Sequence, residues 1–267
     1  MIILSSPRAV AFKFFGIPIY FYGIFIALAT ITGFTVSYLI AKKLYKDFDA
    51  DILYDVVSVA LLGGIIFARL YYCLLNYSYY STHLLDILNI RQGGLAIHGG
   101  LLGAFLFGGI YAKIKKYPIL KLCDICSYGL ILAQAVGRWG NFFNSEAYGL
   151  PAKHFIGLYI PENMRFAGYE FYKYFHPTFL YESVLNLLIF LILFFVIRIF
   201  KIKFDGLIFA SYLILYSIVR FFVEGLRLDC IVNVGALHVP QIVSLLIFKG
   251  ALIFIVYKII RVKIQHN

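Results

Sequence analysis

The sequence predicts an all-α membrane protein with seven transmembrane helices. Hydrophobic residues make up 62% of the 267 residues and charged residues only 14%, a composition typical of polytopic membrane proteins. Seven apolar stretches, each able to form a span of about 20 residues, fill most of the chain. The net charge of +11 could suggest nucleic acid, but the basic residues cluster between apolar stretches. Membrane topology explains that pattern better, so no nucleic-acid partner is predicted.

The predicted spans are separated by short breaks at charged residues, apart from one larger loop at about 138–176. The whole chain, 1–267, is therefore predicted to be a single integral membrane domain. The seven spans are Pro18–Ala41, Ile52–Leu75, Gly94–Ala112, Ile119–Gly137, Pro177–Ile197, Gly206–Leu226 and Val239–Ile259.

The orientation follows from the basic residues, which concentrate near the cytoplasmic ends of membrane helices. Alternate loops carry four tight clusters that together hold more than half of the 24 basic residues. The N-terminus is therefore predicted outside, the C-terminus in the cytoplasm, and the loop at 138–176 in the periplasm. The clusters are Lys42, Lys43 and Lys46; Lys113, Lys115, Lys116 and Lys121; Arg198, Lys201 and Lys203; Lys258, Arg261 and Lys263.

The main ionisable residues within or at the ends of these spans fall towards the outer side. A charged side chain in hydrocarbon costs a few kcal/mol or more, so each one marks a candidate functional site. At 1.5 Å per residue, His98 lies roughly 6 Å below the outer boundary and Arg220 about 21 Å above the inner one. Arg138 is predicted to end its span, and Glu182 to lie one turn into the next. With Glu224, these residues predict a polar pocket that opens to the outer leaflet.

The sixth span carries a polar stripe at spacings of 4, 4 and 3: Tyr216, Arg220, Glu224 and Arg227. On a helix these residues share one face within an arc of about 60°. One interpretation is an Arg220–Glu224 pair that only neutralises itself. The other is an anion-binding site in which the glutamate orients the arginine. The second is favoured, because a buried ion pair contributes little stability by itself.

A glycine-dense segment, Gly93–Gly103, places a single histidine near the outer boundary. Gly99 and Gly103 form a small-xxx-small pair, which allows another helix to approach closely. His98 could simply hydrogen-bond a neighbouring span. It is also a candidate proton acceptor, because imidazole is the usual side chain for proton transfer near neutral pH.

The segment Gly137–Gly149 has the highest density of polar residues. On a continuous helix Arg138, Asn141 and Asn144 would share one side, whereas Glu146 would point roughly 200° away from Asn144. These four side chains converge only if the helix ends near Asn144 and the chain then turns back. Non-helical backbone at membrane depth is tolerated where it lines a watery pocket. The alternative is a polar cap with an aromatic interfacial belt.

Other signals are weaker. His176-Pro177-Thr178 resembles a helix start, and Tyr181 and Glu182 behind it could supply an interface anchor and a second acid. Cys123 and Cys126 have the spacing of half a zinc site, but no second pair completes it. The sequence contains no G-x-S-x-G, H-E-x-x-H or P-loop motif. Neither a metal nor a cofactor is therefore predicted.

Four segments in this order resemble the prolipoprotein diacylglyceryl transferase family. They are G-G-L-A-I-H-G-G at 93–100, G-R-W-G-N-F-F-N-S-E-A-Y-G at 137–149, H-P-T-F-L-Y-E at 176–182 and R-F-F-V-E-G-L-R at 220–227. Tyr22-Gly23 and Ala68-Arg69 also fit, and the resemblance covers nearly the whole chain. Two departures are Ser145, where the family usually has glycine, and His238-Val239-Pro240-Gln241, where a Gly-Gln pair is common.

The resemblance implies a seven-helix enzyme of the bacterial inner membrane. It transfers the diacylglyceryl group from phosphatidylglycerol to the lipobox cysteine of a prolipoprotein, forming a thioether and releasing glycerol 1-phosphate. The catalytic residues expected on this basis are His98, Arg138, Arg220 and Glu224. The substrate-binding residues expected are Arg138, Asn141, Asn144, Glu146, Gly149, Tyr22, Arg227, Tyr181 and Glu182.

The candidate residues can each be matched to a requirement of this reaction. Arg138 and Arg220 offer forked donors for a phosphate, and His98 is the candidate base for the substrate thiol. The rival interpretation is an outward-facing organic-anion transporter that uses the same arginines. A transporter would need a matching polar route in the cytoplasmic half, where Asp124 offers little. A lipid-binding protein without catalysis is a third class, and it would not need a proton acceptor.

Overall fold

The computed structural model describes residues 2–90, 93–153, 155–196, 199, 204–229 and 233–266. Seven of its helices are long and apolar enough to cross a membrane, which confirms the predicted fold class. The helices are α1 Phe21–Leu44, α2 Ile52–Leu75, the short α3 Tyr77–Tyr80, α4 Ile97–Ile114, α5 Ile119–Asn144, α6 Thr178–Leu191, α7 Leu207–Glu224 and α8 Val239–His266. A π-helical turn, Ile192–Val196, extends α6.

The predicted bounds of α2 agree with the structure, whereas three other spans differ where the site lies. The first span was predicted from Pro18, but Ile17–Tyr20 forms a strand and α1 starts at Phe21. Arg138 does not end its span, because α5 continues to Asn144. α7 ends at Glu224, so Arg227 lies beyond the helix that was predicted to carry it. In each case the helix boundary depends on strand pairing or on polar side-chain contacts, and neither can be recognised from a run of apolar residues.

The chain divides into two compact units. One consists of Met1–Ser37 together with Cys123–Asn267, and the other of Tyr38–Leu122. The first unit therefore holds most of α1 and α5 and all of α6, α7 and α8. The second holds α2, α3, α4 and a 3₁₀ turn at Leu84–Leu88.

In the second unit, α2 and α4 pack closely because small residues line their interface. A Cβ built on Gly103 would lie 2.4 Å from the carbonyl oxygen of Gly63, and one on Gly99 would lie 2.5 Å from that of Phe67. Contacts this short are possible only for glycine. The predicted helix approach at the Gly99–Gly103 pair is therefore confirmed, and α2 is the partner.

The first unit also contains three small β-sheets, which the sequence analysis did not predict. A hairpin pairs β2 (Val10–Phe14) with β3 (Ile17–Tyr20) and leads directly into α1. A three-stranded sheet orders β1 (Ile2–Ser5), β4 (Ile156–Tyr159) and β5 (Tyr174–Phe175), and a short hairpin pairs β6 (Asn233–Val234) with β7 (Leu237–His238). A small apolar core joins the segment between α5 and α6 to the first turn of α6, and it is formed by Tyr148, Leu158, Ile160, Phe175 and Phe179.

Asp124 of α5 caps the start of α7. Its carboxylate accepts hydrogen bonds from the backbone N–H of Gly206 at 2.7 Å and of Phe209 at 2.8 Å. The first N–H groups of a helix have no partner within the helix, and a carboxylate there also interacts favourably with the helix dipole. Asp124 is buried, and its carboxylate is occupied by this cap.

Candidate functional site

Three helices of the first unit bring an arginine, a glutamate and a second arginine together. Glu182 of α6 lies between Arg138 of α5 and Arg220 of α7. Its Oε1 is 2.6 Å from Nη2 of Arg138, and its Oε2 is 3.3 Å from Nη1 of Arg220. Arg220 also pairs with Glu224, one turn along α7, at 2.5 Å. Four of the five residues predicted to share one depth therefore form a continuous ion-paired cluster.

The acids and the arginines of this cluster differ in exposure. The side chains of Glu182 and Glu224 are only 2% and 3% exposed, whereas those of Arg138 and Arg220 are 22% and 18% exposed. The carboxylates are therefore buried, whereas the arginine side chains that they pair with remain partly accessible. A guanidinium has five N–H donors, so groups fixed in this way can still bind an anion bidentately.

Two further side chains extend the cluster, and the sequence analysis did not select them as site residues. The hydroxyl of Tyr216 donates to Oε1 of Glu182 at 3.4 Å. Asp229 pairs with Arg227, whose Nε donates to Oδ1 of Asp229 at 2.8 Å and lies 4.0 Å from Oε2 of Glu224. Tyr216 could have been found from its place in the polar stripe. Asp229 could have been found from its position two residues after Arg227.

The Arg227–Asp229 pair is strong enough to shift both titrations. Burial, the largest influence, opposes charge on each group. The hydrogen-bonded pairing outweighs it and holds the pKa of the Asp229 carboxyl below its ordinary value. The same pairing raises the pKa of the Arg227 guanidinium. Both groups are therefore charged, and Arg227 is fixed beside Glu224 although it lies outside the helix.

The end of α5 turns back as the sequence predicts. After Asn144, the last helical residue, Ser145 adopts a φ of +52°, and the N–H of Glu146 bonds the carbonyl of Asn141 at 3.2 Å. The Asn141 amide then links the two ends of the segment: Nδ2 donates to Oε1 of Glu146 at 2.8 Å, and Oδ1 accepts from Nη1 of Arg138 at 3.4 Å. A left-handed φ favours glycine, so the side chain of Ser145 is accommodated here at a cost in backbone strain.

Tyr22 and Asn144 lie on an apolar groove next to this turn. The groove has a volume of about 590 Å³ and is lined by β3, the first turns of α1 and the end of α5. Tyr22 packs on α5 as well, since a Cβ built on Gly140 would lie 3.0 Å from its Cδ2. Gly140 lies between Arg138 and Asn141 in the chain. Tyr22 therefore connects the groove with the polar end of α5.

Gly149 lies in the connection between α5 and α6, and Tyr181 lies in the first turn of α6. A Cβ on Gly149 would lie 2.8 Å from the carbonyl oxygen of Leu226, and the Gly149 N–H donates to the carbonyl of His176 at 2.9 Å. The hydroxyl of Tyr181 and Nδ1 of His176 are hydrogen-bonded at 3.1 Å. Gly149 thus has a packing reason to be glycine, and its substrate-binding role, like that of Tyr181, stays a prediction.

His98 belongs to the second unit, as the second residue of α4. Its side chain is exposed, and it forms no side-chain hydrogen bond with any residue that the structure describes. The residues of the arginine cluster all belong to the first unit. The alternative in which His98 bonds a neighbouring span has no support among the described residues, and its role as a base stays a prediction.

The departure at His238–Gln241 preserves a link between α7 and α8. The Gln241 side chain donates from Nε2 to the carbonyl of Phe221 at 3.1 Å, and its Oε1 accepts from the N–H of His238 at 2.9 Å. Nδ1 of His238 also lies 3.1 Å from the carbonyl oxygen of Glu224. These contacts fix the end of α7 where Glu224 contributes to the cluster.

The fold and the cluster define a multi-pass membrane protein with an ion-paired arginine site beside an apolar groove. Comparison with protein families agrees with this description. The model of the prolipoprotein diacylglyceryl transferase family matches residues 9–257. The chain belongs to this family. Its relatives in several bacteria are named as transferases.

Several relatives bear the name phosphatidylglycerol–prolipoprotein diacylglyceryl transferase. The protein of Clostridium novyi is 44% identical over 247 residues, which is 92% of this chain and 94% of that protein. The protein of Finegoldia magna is 43% identical and covers 93% of this chain and 95% of its own length. A Bacillus cereus protein is 38% identical over 97% of this chain and 95% of its own.

Proposed function

We propose that this protein transfers the diacylglyceryl group of phosphatidylglycerol to the lipobox cysteine of a prolipoprotein, forming a thioether and releasing glycerol 1-phosphate. The observation that carries the proposal is the pair of partly exposed arginine side chains, Arg138 and Arg220, that share the buried carboxylate of Glu182. Family membership favours transfer over the rival transporter. Asp124 is also committed to capping α7, so it does not support transport.

The reaction requires charge stabilisation on the leaving phosphate. The substrate thiolate attacks the carbon that joins the diacylated glycerol to the phosphodiester oxygen. A carbon–sulfur bond forms, and the carbon–oxygen bond breaks with its electron pair going to the phosphate. A singly charged diester thereby becomes a monoester with up to two negative charges. Arg138 and Arg220 bind this phosphate, and they stabilise the transition state because its charge grows as the bond breaks.

Other residues orient the reactants. Asn141 and Glu146 fix Arg138 through the turn after α5, and Glu224 and Arg227 fix Arg220 at the end of α7. The groove beside Tyr22 and Asn144 is mostly apolar and receives an acyl chain of the lipid.

The thiol must lose its proton before it attacks, since the thiolate is the nucleophile. His98 accepts this proton in the proposed reaction. A His98→Gln enzyme should transfer at a rate reduced by about 10²- to 10⁴-fold, the range typical of a general base. A variant that keeps the wild-type rate at every pH would exclude this role.

The proposal also places the protein in its membrane. The basic clusters orient the N-terminus outside and the site towards the outer leaflet of the bacterial inner membrane, with the α5–α6 connection in the periplasm. Both substrates then enter from that side. Single cysteines introduced at Phe171, in the α5–α6 connection, and at Lys258, in α8, should react with an impermeant reagent in intact cells only at Phe171.

The test of the activity uses purified protein in bilayers that contain phosphatidylglycerol, with a lipobox peptide as acceptor. Mass spectrometry should detect the diacylglyceryl thioether on the peptide, and glycerol phosphate in equal amount. A peptide with serine in place of the cysteine is the matched control and should remain unmodified. A folded protein that forms no thioether with the cysteine peptide would contradict the proposal.

A further inference from the structure

Arg69 of α2 is a buried arginine whose donors are all occupied by the backbone. It is only 7% exposed. Its Nε donates to the carbonyl of Ile87 at 2.9 Å, and Nη1 to those of Gly93 and Gly94 at 2.9 and 3.0 Å. Nη2 donates to the carbonyls of Asp86 and Asn89 at 2.5 and 3.2 Å. A guanidinium has five N–H groups, and here each N–H group donates to one of the five carbonyls.

This saturation distinguishes Arg69 from Arg138 and Arg220. A polar cavity of about 320 Å³ adjoins Arg69, but an anion there would have to displace a carbonyl to gain a donor. The ring centroids of Tyr72 and Tyr80 also lie 5.9 and 5.2 Å from its Cζ, so aromatic rings pack against the guanidinium. Arg69 therefore holds a segment of the chain rather than a ligand.

The segment that it holds leads directly into the helix of His98. The five carbonyls lie between Asp86 and Gly94, and α4 begins at Ile97. Between them the N–H of Ala96 bonds the carbonyl of Ala68, the residue before Arg69, at 3.0 Å. The start of α4 is thus attached to one turn of α2 by a side chain and a main-chain bond.

The position of His98 depends on this attachment. Its exposed ring has no side-chain hydrogen bond among the described residues, so no polar contact holds the imidazole and its place follows the backbone at the start of α4. Farther along, Gly99 and Gly103 fix α4 against α2, but His98 precedes both contacts. A shift of the entering segment would therefore move the imidazole without separating the two helices.

We propose that Arg69 is a positioning residue for the transfer reaction, which acts by fixing residues 86–90 and 93–94 and through them His98. The inference rests on the proposed role of His98. Lysine cannot replace arginine here, because its three donors radiate from a single nitrogen and cannot reach carbonyls on both sides of a planar fork.

Gly94 allows a test that leaves Arg69 itself unchanged. Gly94 has a φ of +72°, and a Cβ there would lie 2.4 Å from Nη1 of Arg69. Gly168 has a φ of +86°, and a Cβ there would meet nothing within 4 Å. Gly168→Ala is therefore a matched control, with the same kind of backbone strain at a residue whose carbonyl is not among the five that Arg69 holds.

The test measures kcat and KM for phosphatidylglycerol in Arg69→Lys, Gly94→Ala and Gly168→Ala, together with amide hydrogen exchange. Misplacing a catalytic group by about 1 Å costs about a hundredfold, so kcat should fall by that order in the first two variants with KM unchanged. Exchange should accelerate in Leu84–Ile90 but not in α5 to α7. Equal losses of kcat in Gly168→Ala and Gly94→Ala, or native exchange in Arg69→Lys, would overturn the proposal.

A double variant separates this proposal from the proposed function. If Arg69 acts through His98, Arg69→Lys should slow His98→Gln no further, because the two changes remove the same contribution. Losses that multiply would overturn the positioning role and leave the base role of His98 intact. Full activity of His98→Gln alone would overturn both.

Discussion

Replacing Arg138 by lysine separates the charge of the cluster from its geometry. The arginine bridges two acceptors, Glu182 Oε1 at 2.6 Å and Asn141 Oδ1 at 3.4 Å, and a lysine nitrogen cannot serve both and also a phosphate. One charge-assisted hydrogen bond contributes about 1.5–3 kcal/mol. Since about 1.4 kcal/mol is a factor of ten, losing one such bond in the transition state should lower kcat roughly 10- to 150-fold.

Stability should respond differently to lysine and to alanine. Lysine keeps a positive charge beside Glu182, which is 1% exposed, so the unfolding temperature should change little. Arg138→Ala leaves that carboxylate with Arg220 at 3.3 Å as its remaining charged partner. Breaking a buried ion pair costs about 3–5 kcal/mol, and the remaining partner places the expected loss at the lower end.

The assay is thioether formation at saturating phosphatidylglycerol, with thermal unfolding measured on the same preparations. Arg8→Lys is the matched control, because Arg8 is exposed and, within the part of the chain that the structure describes, its side chain donates to the nearby carbonyl of Ala11 alone. A folded Arg138→Lys enzyme with the wild-type kcat would refute the reasoning. An equal loss of kcat in Arg8→Lys would refute it as well.

Three further predictions concern other parts of the first unit. Ser145→Val should lower the unfolding temperature and Ser145→Gly should not, because the left-handed φ of +52° costs a non-glycine residue about 1–2 kcal/mol and strains a β-branched one most; equal stability of both variants would contradict this. Ala27→Phe should narrow the apolar groove and slow transfer from long-chain phosphatidylglycerol more than from the dioctanoyl lipid, and parallel losses with both lipids would exclude an acyl-chain site there. The pKa of Asp229 is lowered in the folded protein by Arg227, so its contribution to stability exists above the unfolded pKa of about 3.9 and is lost as pH falls through the lower folded value. The unfolding temperature of the wild type should accordingly fall more than that of Asp229→Asn between about pH 5 and about pH 3, and identical pH dependence would contradict the pairing.

The spans could be predicted from the sequence because apolar length is a local property. The bounds failed where another interaction competes with apolarity. Ile17–Tyr20 reads as the start of a span but pairs with β2. The last turns of α5 read as a loop because Arg138, Asn141 and Asn144 are polar, yet side-chain contacts with Glu182 and Glu146 keep the first two within the helix.

Only those contacts of the site that join residues close together in the sequence could be predicted. Arg220 and Glu224 pair across one turn of α7, as spacing of four residues implies. The central position of Glu182 could not be predicted, because it depends on how three helices meet. For the same reason the sequence cannot distinguish Arg69, whose donors are all used by carbonyls, from the partly exposed Arg220.

The central claim is that the guanidinium groups held by Glu182 bind the phosphate of an anionic lipid, and lipid retention tests it most directly. Native mass spectrometry of the detergent-purified protein should show phosphatidylglycerol retained in preference to phosphatidylethanolamine. The double variant Arg138→Gln/Glu182→Gln removes one charge of each sign, and Arg220 keeps Glu224 at 2.5 Å as its charged partner. That variant should lose most of the preference while remaining folded, and an unchanged preference for phosphatidylglycerol would contradict the account.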